Sequence, residues 1–260
     1  MWPEPEGGRW SPARALGYQV PAGIATTSRV DGGLPNPPTG PPDHGNLPDR
    51  HGRRARLPTL RGPARSDVRT DESRPHPAGP VFEFDAGALG LIALHPLVPA
   101  ADVDLVHRWV TQDRARFWGM TGLSRAEVLD AYRYVDSLPT HHAFLARRRG
   151  VPVGLVQTYE PAEDPMGDYY EVRRGDIGFH LFSGPPAGDP ERGFTSALLA
   201  AVVAFVSRDP AVRRVVAEPD ARNAKVLDLL RRNGFDLGPE LRMADKTARL
   251  AVLDLGADQR

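Results

Sequence analysis

Fifteen of the chain's 27 prolines fall within its first 80 residues, and this distribution decides where a fold can form. Stretches such as PNPPTGPPDHG and DRHGRRARLPTLRGPARSD interrupt helix and strand alike, and no apolar periodicity runs through them. A segment of this kind cannot bury enough apolar surface to offset its conformational entropy. Residues 1–78 are therefore expected to be a disordered Pro/Gly/Arg-rich extension, and residues 79–260 a single domain. The extension carries 11 Arg against 8 Asp plus Glu, scattered between prolines rather than gathered into a basic patch.

The whole chain has a formal net charge of zero, so bulk electrostatics gives no reason to expect nucleic acid or an anionic membrane as partner. It has no cysteine, which excludes disulfide scaffolds, thiolate metal sites and cysteine nucleophiles. No His, Asp and Glu cluster shows metal-ligand spacing, and no metal is expected. No apolar run approaches the roughly 18 residues that span a bilayer, and MWPEPEGGRWSPARALG lacks the apolar centre of a signal peptide. The expectation is a soluble cytoplasmic protein, monomeric or dimeric.

From residue 81 the texture changes. VFEFDA alternates as a half-buried strand does, and LGLIALHPL follows as a second. Residues 102–112 place Val103, Val106, Trp109 and Val110 on one helical face, with Asp102 as candidate N-cap. Ser124 and Glu127 have capping-box spacing and predict a second helix. HHAFLARRR and VPVGLVQTYE read as a strand pair about a tight turn at Gly150, and GDIGFHLF as a further strand. Residues 193–207 form a strongly apolar helix. VRRVVAE is a strand, NAKVLDLLRRNG a helix ending on Gly234, and TARLAVLDL a last strand. The fold class expected is mixed α/β (α+β), a largely antiparallel sheet flanked by helices.

The segment GDPERGFTSALL carries the first chemical signal. A strand runs through a loop into a helix whose first N–H groups lack partners, and anions bind at such an end. Gly193 permits close backbone approach, Arg192 adds charge, and Phe194, Thr195 and Ser196 open the helix. This resembles the acyl-CoA pyrophosphate loop of the GNAT acyltransferase superfamily. Two positions depart from that pattern: Pro190 stands where Arg or Gln leads, and Thr195 takes the second small position.

A narrower resemblance rests on HPLVPAADVDLVHRWVTQDRARFWGM, YVDSLPTHHAFLARRRGVPVGLVQTYEP, YYEVRRGDIGFHLF, RGFTSALL and VVAEPDARN. Together these are similar to the siderophore-biosynthesis acyltransferases, over residues 80–255. The resemblance implies a sheet splayed between two adjacent parallel strands, with the cofactor arm in the gap. It further implies an acyl group, acetyl above all, moving from acyl-CoA to the side-chain nitrogen of N6-hydroxylysine or a related hydroxylated diamine. It places the family's catalytic histidine at His180 and its functional acid at Glu218, an Asp in some members.

Direct acyl transfer needs a neutral nitrogen, a proton acceptor and donors for the developing oxyanion. A histidine can accept a proton near neutral pH, which suits His180 just before the loop. Glu218, or Asp220 two residues on, is the acidic partner; Asp220 has the alternative use of capping the following helix. Arg222, Asn223 and Lys225 begin that helix and could reach the CoA. Trp118 and His142 are candidate walls of the acceptor pocket. Gln157 and Tyr159 share one strand face and could line the cleft. Two other readings stay open: a different small-molecule amine as acceptor, such as an aminoglycoside, or a CoA-binding domain without catalysis.

Overall fold

A computed structural model describes residues 79–186 and 188–256; the extension expected at 1–78 lies outside them. The domain is mixed α/β. Its strands are β1 (Phe82–Asp85), β2 (Leu91–Pro96), β3 (His141–Arg148), β4 (Val151–Tyr159), β5 (Asp176–Ser183), β6 (Arg214–Ala217), β7 (Asp236–Arg242) and β8 (Thr247–Asp254). Its α-helices are α1 (Pro99–Val110), α2 (Arg125–Ser137), α3 (Phe194–Val206) and α4 (Ala224–Arg232). One eight-stranded sheet has the order β1-β2-β3-β4-β5-β6-β8-β7. Every neighbouring pair is antiparallel except β5 and β6, which run parallel.

Local chemistry accounts for the elements that the sequence announced. The Ser124 Oγ accepts from the Glu127 N–H, and the Glu127 carboxylate accepts from the Ser124 N–H at 2.7 Å, closing the capping box on α2. Between β3 and β4, Arg149 and Gly150 both take positive φ, 50° and 76°. A two-residue turn of that hand matches the twist of the strands it joins.

The start of α1 differs from expectation. Asp102 is not its N-cap: the helix begins three residues earlier, at Pro99, with Val98 in the capping position. Proline suits a first helical position, where its missing N–H is not needed. The Asp102 carboxylate reaches back one turn to accept from the Val98 N–H at 2.8 Å.

Helices cover both faces of the sheet. On one face Leu198, Leu199 and Val202 of α3 and Leu230 of α4 pack against Ile92, Phe144, Val156, Phe179 and Val215. On the other, Val103, Val106 and Trp109 of α1 and Val128 and Tyr132 of α2 pack against Leu145, Leu155 and Phe182. None of the described helices is long and apolar enough to cross a membrane.

The parallel pair is short. Its register runs Asp176↔Arg214, Ile177↔Val215 and Gly178↔Val216, and there it stops, while β5 continues beside β4 to Ser183. The paired end is clasped. Asp176, with its side chain fully buried, takes Nε and Nη2 of Arg214 at 2.7 and 2.6 Å, the Tyr170 hydroxyl at 2.9 Å and the Arg173 N–H at 2.9 Å. Burial works to raise the Asp176 carboxyl, but the bonds from Arg214, Arg173 and Tyr170 outweigh it and hold it below the usual carboxylate range. A carboxyl lowered on folding gives stability that is present above its unfolded pKa and is lost as pH falls through its folded one. Asp176→Asn is expected to cost about 3 kcal/mol at pH 7, by leaving the Arg214 charge without its partner. Urea denaturation of both proteins should show that difference narrowing as pH drops below about 4.

Candidate active site

His180 lies two residues beyond the last parallel pair, on the part of β5 whose edge is open. Its Nε2 is 2.6 Å from Glu218 Oε1 and its Nδ1 is 3.2 Å from Gln157 Oε1. Gln157 is the β4 residue directly opposite His180, so their side chains share one face. Glu218 follows the last residue of β6, two residues past the last parallel pair, and its bond to His180 joins the end of β6 to β5 beyond their shared register. His180 keeps about a third of its side-chain surface exposed, whereas Glu218 is 5% exposed.

Three donors satisfy Glu218. Besides His180, the Tyr159 hydroxyl donates to Oε2 at 2.6 Å and Lys246 Nζ lies 3.4 Å from Oε1. Burial alone would push this carboxyl up. The His180 and Lys246 charges and the bonds from His180 and Tyr159 prevail, holding it well below the usual range. Tyr159 moves the other way: burial, then the negative charges of Glu218 and Asp164, raise its phenol well above the usual value, so it stays a donor.

In the tautomer whose Nε2–H donates to Glu218, Nδ1 of His180 carries a lone pair on the side of the Gln157 side-chain amide.

The face around this pair is aromatic. Trp118 stands edge-on to His180 at 6.1 Å and to Phe182 at 5.7 Å. The Tyr159 ring lies 5.1 Å from His180 and stacks on buried His141 at 5.9 Å. His142, one residue on, pairs with Thr158 and projects from the opposite face, exposed and 6.4 Å from Phe144. Trp118, Gln157 and Tyr159 are thus gathered about His180, and His142 is not.

Asp220 is turned elsewhere. Its carboxylate accepts from the Arg222 N–H at 2.8 Å and from the Arg222 guanidinium at 2.9 and 2.7 Å. Arg222 also lies over the Phe117 ring. Helix α4 starts only at Ala224, with Asn223 at its N-cap position and Lys225 exposed in its first turn.

The N-terminus of α3 is open. Gly193 is its N-cap in the left-handed region, φ 84°, which glycine adopts without strain. No side chain caps the end and no acidic residue lies in its first turn. Arg192 and Thr195 are exposed. The Ser196 hydroxyl accepts from Asn233 at 3.3 Å. The Phe194 ring carries the Arg148 guanidinium, which is itself ion-paired to Glu191. Such an end can hold an anion. Among the described residues, no three His, Asp or Glu side chains converge as metal ligands would.

Two site residues escaped the sequence, Lys246 and His141. Lys246 arrives from the turn before β8. There the Asp220↔Ala248 bridge and the Ala221 N–H to Thr247 carbonyl bond pin the chain after β6 to the start of β8. Nothing local to MADKTARL signals that return.

A family model described as an acetyltransferase (GNAT) domain matches residues 98–243, and the chain belongs to that family. The Escherichia coli protein named N(6)-hydroxylysine O-acetyltransferase is 24% identical over 195 residues, 74% of this chain and 61% of its own length. Lysine N-acyltransferase MbtK of Mycobacterium sp. (strain MCS) is 28% identical over 172 residues, 59% of this chain and 62% of its own length. The chain therefore spans about three fifths of these two relatives. The solved structure of AAC(6')-Ib in complex with paromomycin and acetyl-CoA shares the fold, with a TM-score of 0.57 and 20% identity over 63% of this chain and 93% of that one.

Tyr159 is held against Gly178, where an added Cβ would fall 2.1 Å from the Tyr159 Cζ. Gly178→Ala must displace the ring that donates to Glu218. A loss of about 1–3 kcal/mol is expected from the overpacking, and a Tyr159→Phe background should not relieve it, because the ring is unchanged. Thermal melts of the single and double variants check this.

Proposed function

We propose that residues 79–260 form an acyltransferase domain that moves an acyl group, acetyl in the simplest case, from acyl-CoA to the side-chain nitrogen of N6-hydroxylysine or a related hydroxylated diamine. The product would be a hydroxamate of the kind that siderophores use to chelate ferric iron. The single observation that carries this reading is His180, partly exposed on the open edge of β5 and bonded at 2.6 Å to a buried carboxylate across the gap. The name of the Escherichia coli relative supports N6-hydroxylysine as acceptor, and that of the Mycobacterium relative supports acyl transfer to a lysine nitrogen.

The reaction follows from the parts. The gap between β5 and β6 accepts the pantetheine arm, whose amides can pair with backbone groups of residues 179–183. The uncapped N-terminus of α3, with Arg192 and Thr195, takes the pyrophosphate. The acceptor nitrogen attacks the thioester carbonyl carbon from the Trp118 side. As the C–N bond forms, the proton of the acceptor nitrogen passes to Nδ1 of His180, the nitrogen not held by Glu218, and the incoming substrate displaces the Gln157 amide that lies 3.2 Å from it. Glu218 fixes the ring and stabilises the imidazolium. The C–S bond then breaks, the departing sulfur takes the proton back from the imidazolium, and CoA leaves as the thiol with His180 neutral again. An N-alkylhydroxylamine suits this site because its nitrogen is uncharged near neutral pH, where a lysine ammonium is not. Acyl-CoA is an intracellular metabolite, so this reading puts the reaction in the cytoplasm.

The test is thiol release from acetyl-CoA with lysine, N6-hydroxylysine, hydroxycadaverine and hydroxyornithine as acceptors. Turnover is expected with the hydroxylated amines and much less with lysine. His180→Ala should lose about 10²–10⁴-fold in kcat, with CoA affinity by calorimetry unchanged. Full activity in that variant would remove His180 from the role of base.

A further inference from the structure

Glu218 Oε1 is shared. His180 Nε2 approaches it at 2.6 Å and Lys246 Nζ at 3.4 Å, while Tyr159 occupies Oε2. Two nitrogens that can carry positive charge therefore meet one buried oxygen. We propose that Lys246 is a positioning residue for the proton transfer: its fixed charge neutralises Glu218 and so leaves His180 free to work as an uncharged base. The inference rests on the reading of His180 given above and adds to it the control of its charge.

The argument is electrostatic. A buried carboxylate needs a compensating charge, and the nearest titratable group supplies it where no fixed cation does. With Glu218 alone beside it, His180 would be that group. It would hold a proton to higher pH and be unable to accept one from substrate. Lys246 supplies the charge instead. The ion pair is then neutral with the imidazole uncharged and carries one positive charge when the imidazole is protonated.

Among the described residues, no cation other than His180 and Lys246 is bonded to Glu218. Tyr159 from β4 donates to Glu218, and burial raises its phenol well above the usual range, so it adds no charge. Tyr170 is pushed up likewise, by burial and by its bond to Asp176. Gln157 and Trp118, which face His180, do not titrate. Asp164 faces His141, at 3.3 Å from its Nε2. The Asp220 carboxylate, held by Arg222, contributes a negative charge toward Lys246. Arg222 itself is engaged with Asp220 and Phe117 and has no bond to Glu218 among those described.

The experiment is the pH profile of kcat/KM for acetyl transfer by full-length Lys246→Met and Lys246→Gln, beside wild type and Lys246→Arg. In both neutral variants the acid limb, where activity rises with pH, should move about one unit to higher pH. Activity on that limb then falls about tenfold at a fixed pH, and the plateau is regained at alkaline pH. Lys246→Arg keeps the charge and should keep the wild-type limb. A limb that stays put or moves to lower pH in a neutral variant of unchanged melting temperature and CoA affinity overturns the inference. So does an equal shift in Lys246→Arg. His180→Ala separates the two levels: if it retains turnover, the base assignment fails, whereas if it is inactive and the neutral variants keep the wild-type limb, only the role of Lys246 falls.

Discussion

The buried ion pair between Asp176 and Arg214 clasps one end of the parallel strand pair, whose register ends two residues later at Gly178 and Val216. Only three residues of β5 face β6 in register, and the clasp sits on the first of them. Beyond Gly178 no further backbone pairing of β5 with β6 is formed among the described residues. The wedge between them is the place where an extended amide-bearing chain can lie. Its apex and its mouth are separated by very few residues, so the stability of the clasp and the geometry of the mouth are linked.

The mouth is built from charge as much as from shape. Glu218 is almost wholly buried, and an isolated carboxylate in that position would be costly. The domain satisfies it with an imidazole, a phenol and an ammonium drawn from three separate strands or turns. The carboxylate in turn ties β4, β5 and the end of β6 to the β7–β8 turn. Each contact has a second use. The phenol must lie flat on Gly178 to reach the carboxylate, and the imidazole must stand on the open edge of β5 to reach both the carboxylate and the solvent. A glycine at 178 is thus a requirement of the site as well as of the sheet.

Much of this could be read from residues alone. The capping box of α2, the tight turn at Gly150 and the apolar run of α3 are local signals, and the structure realises each locally. His180 is singled out by its place on the strand before the α3 loop together with the family resemblance, and Glu218 by the resemblance of VVAEPDARN alone. What was hidden is non-local. Asp102 misled because its carboxylate caps α1 from inside the helix, not from its edge. His142 and His141 could not be ranked because β3 is central: Phe144 and Leu145 are both buried, so alternation gives no inside and outside to distinguish. Lys246 is delivered by an antiparallel return that no local pattern encodes. Strand β7 was not anticipated at all, since DLGPELR holds a glycine, a proline and three charged residues.

That last strand has a consequence of its own. β7 is the outermost strand beyond β8, and Pro239 deprives it of one backbone donor, while its register with β8 shifts between Leu237 and Glu240. A strand so interrupted is a poor template for another chain's backbone. The border of the sheet nearest Lys246 is therefore guarded against accidental strand addition, and the turn that carries its ammonium is spared the distortion that such aggregation would bring.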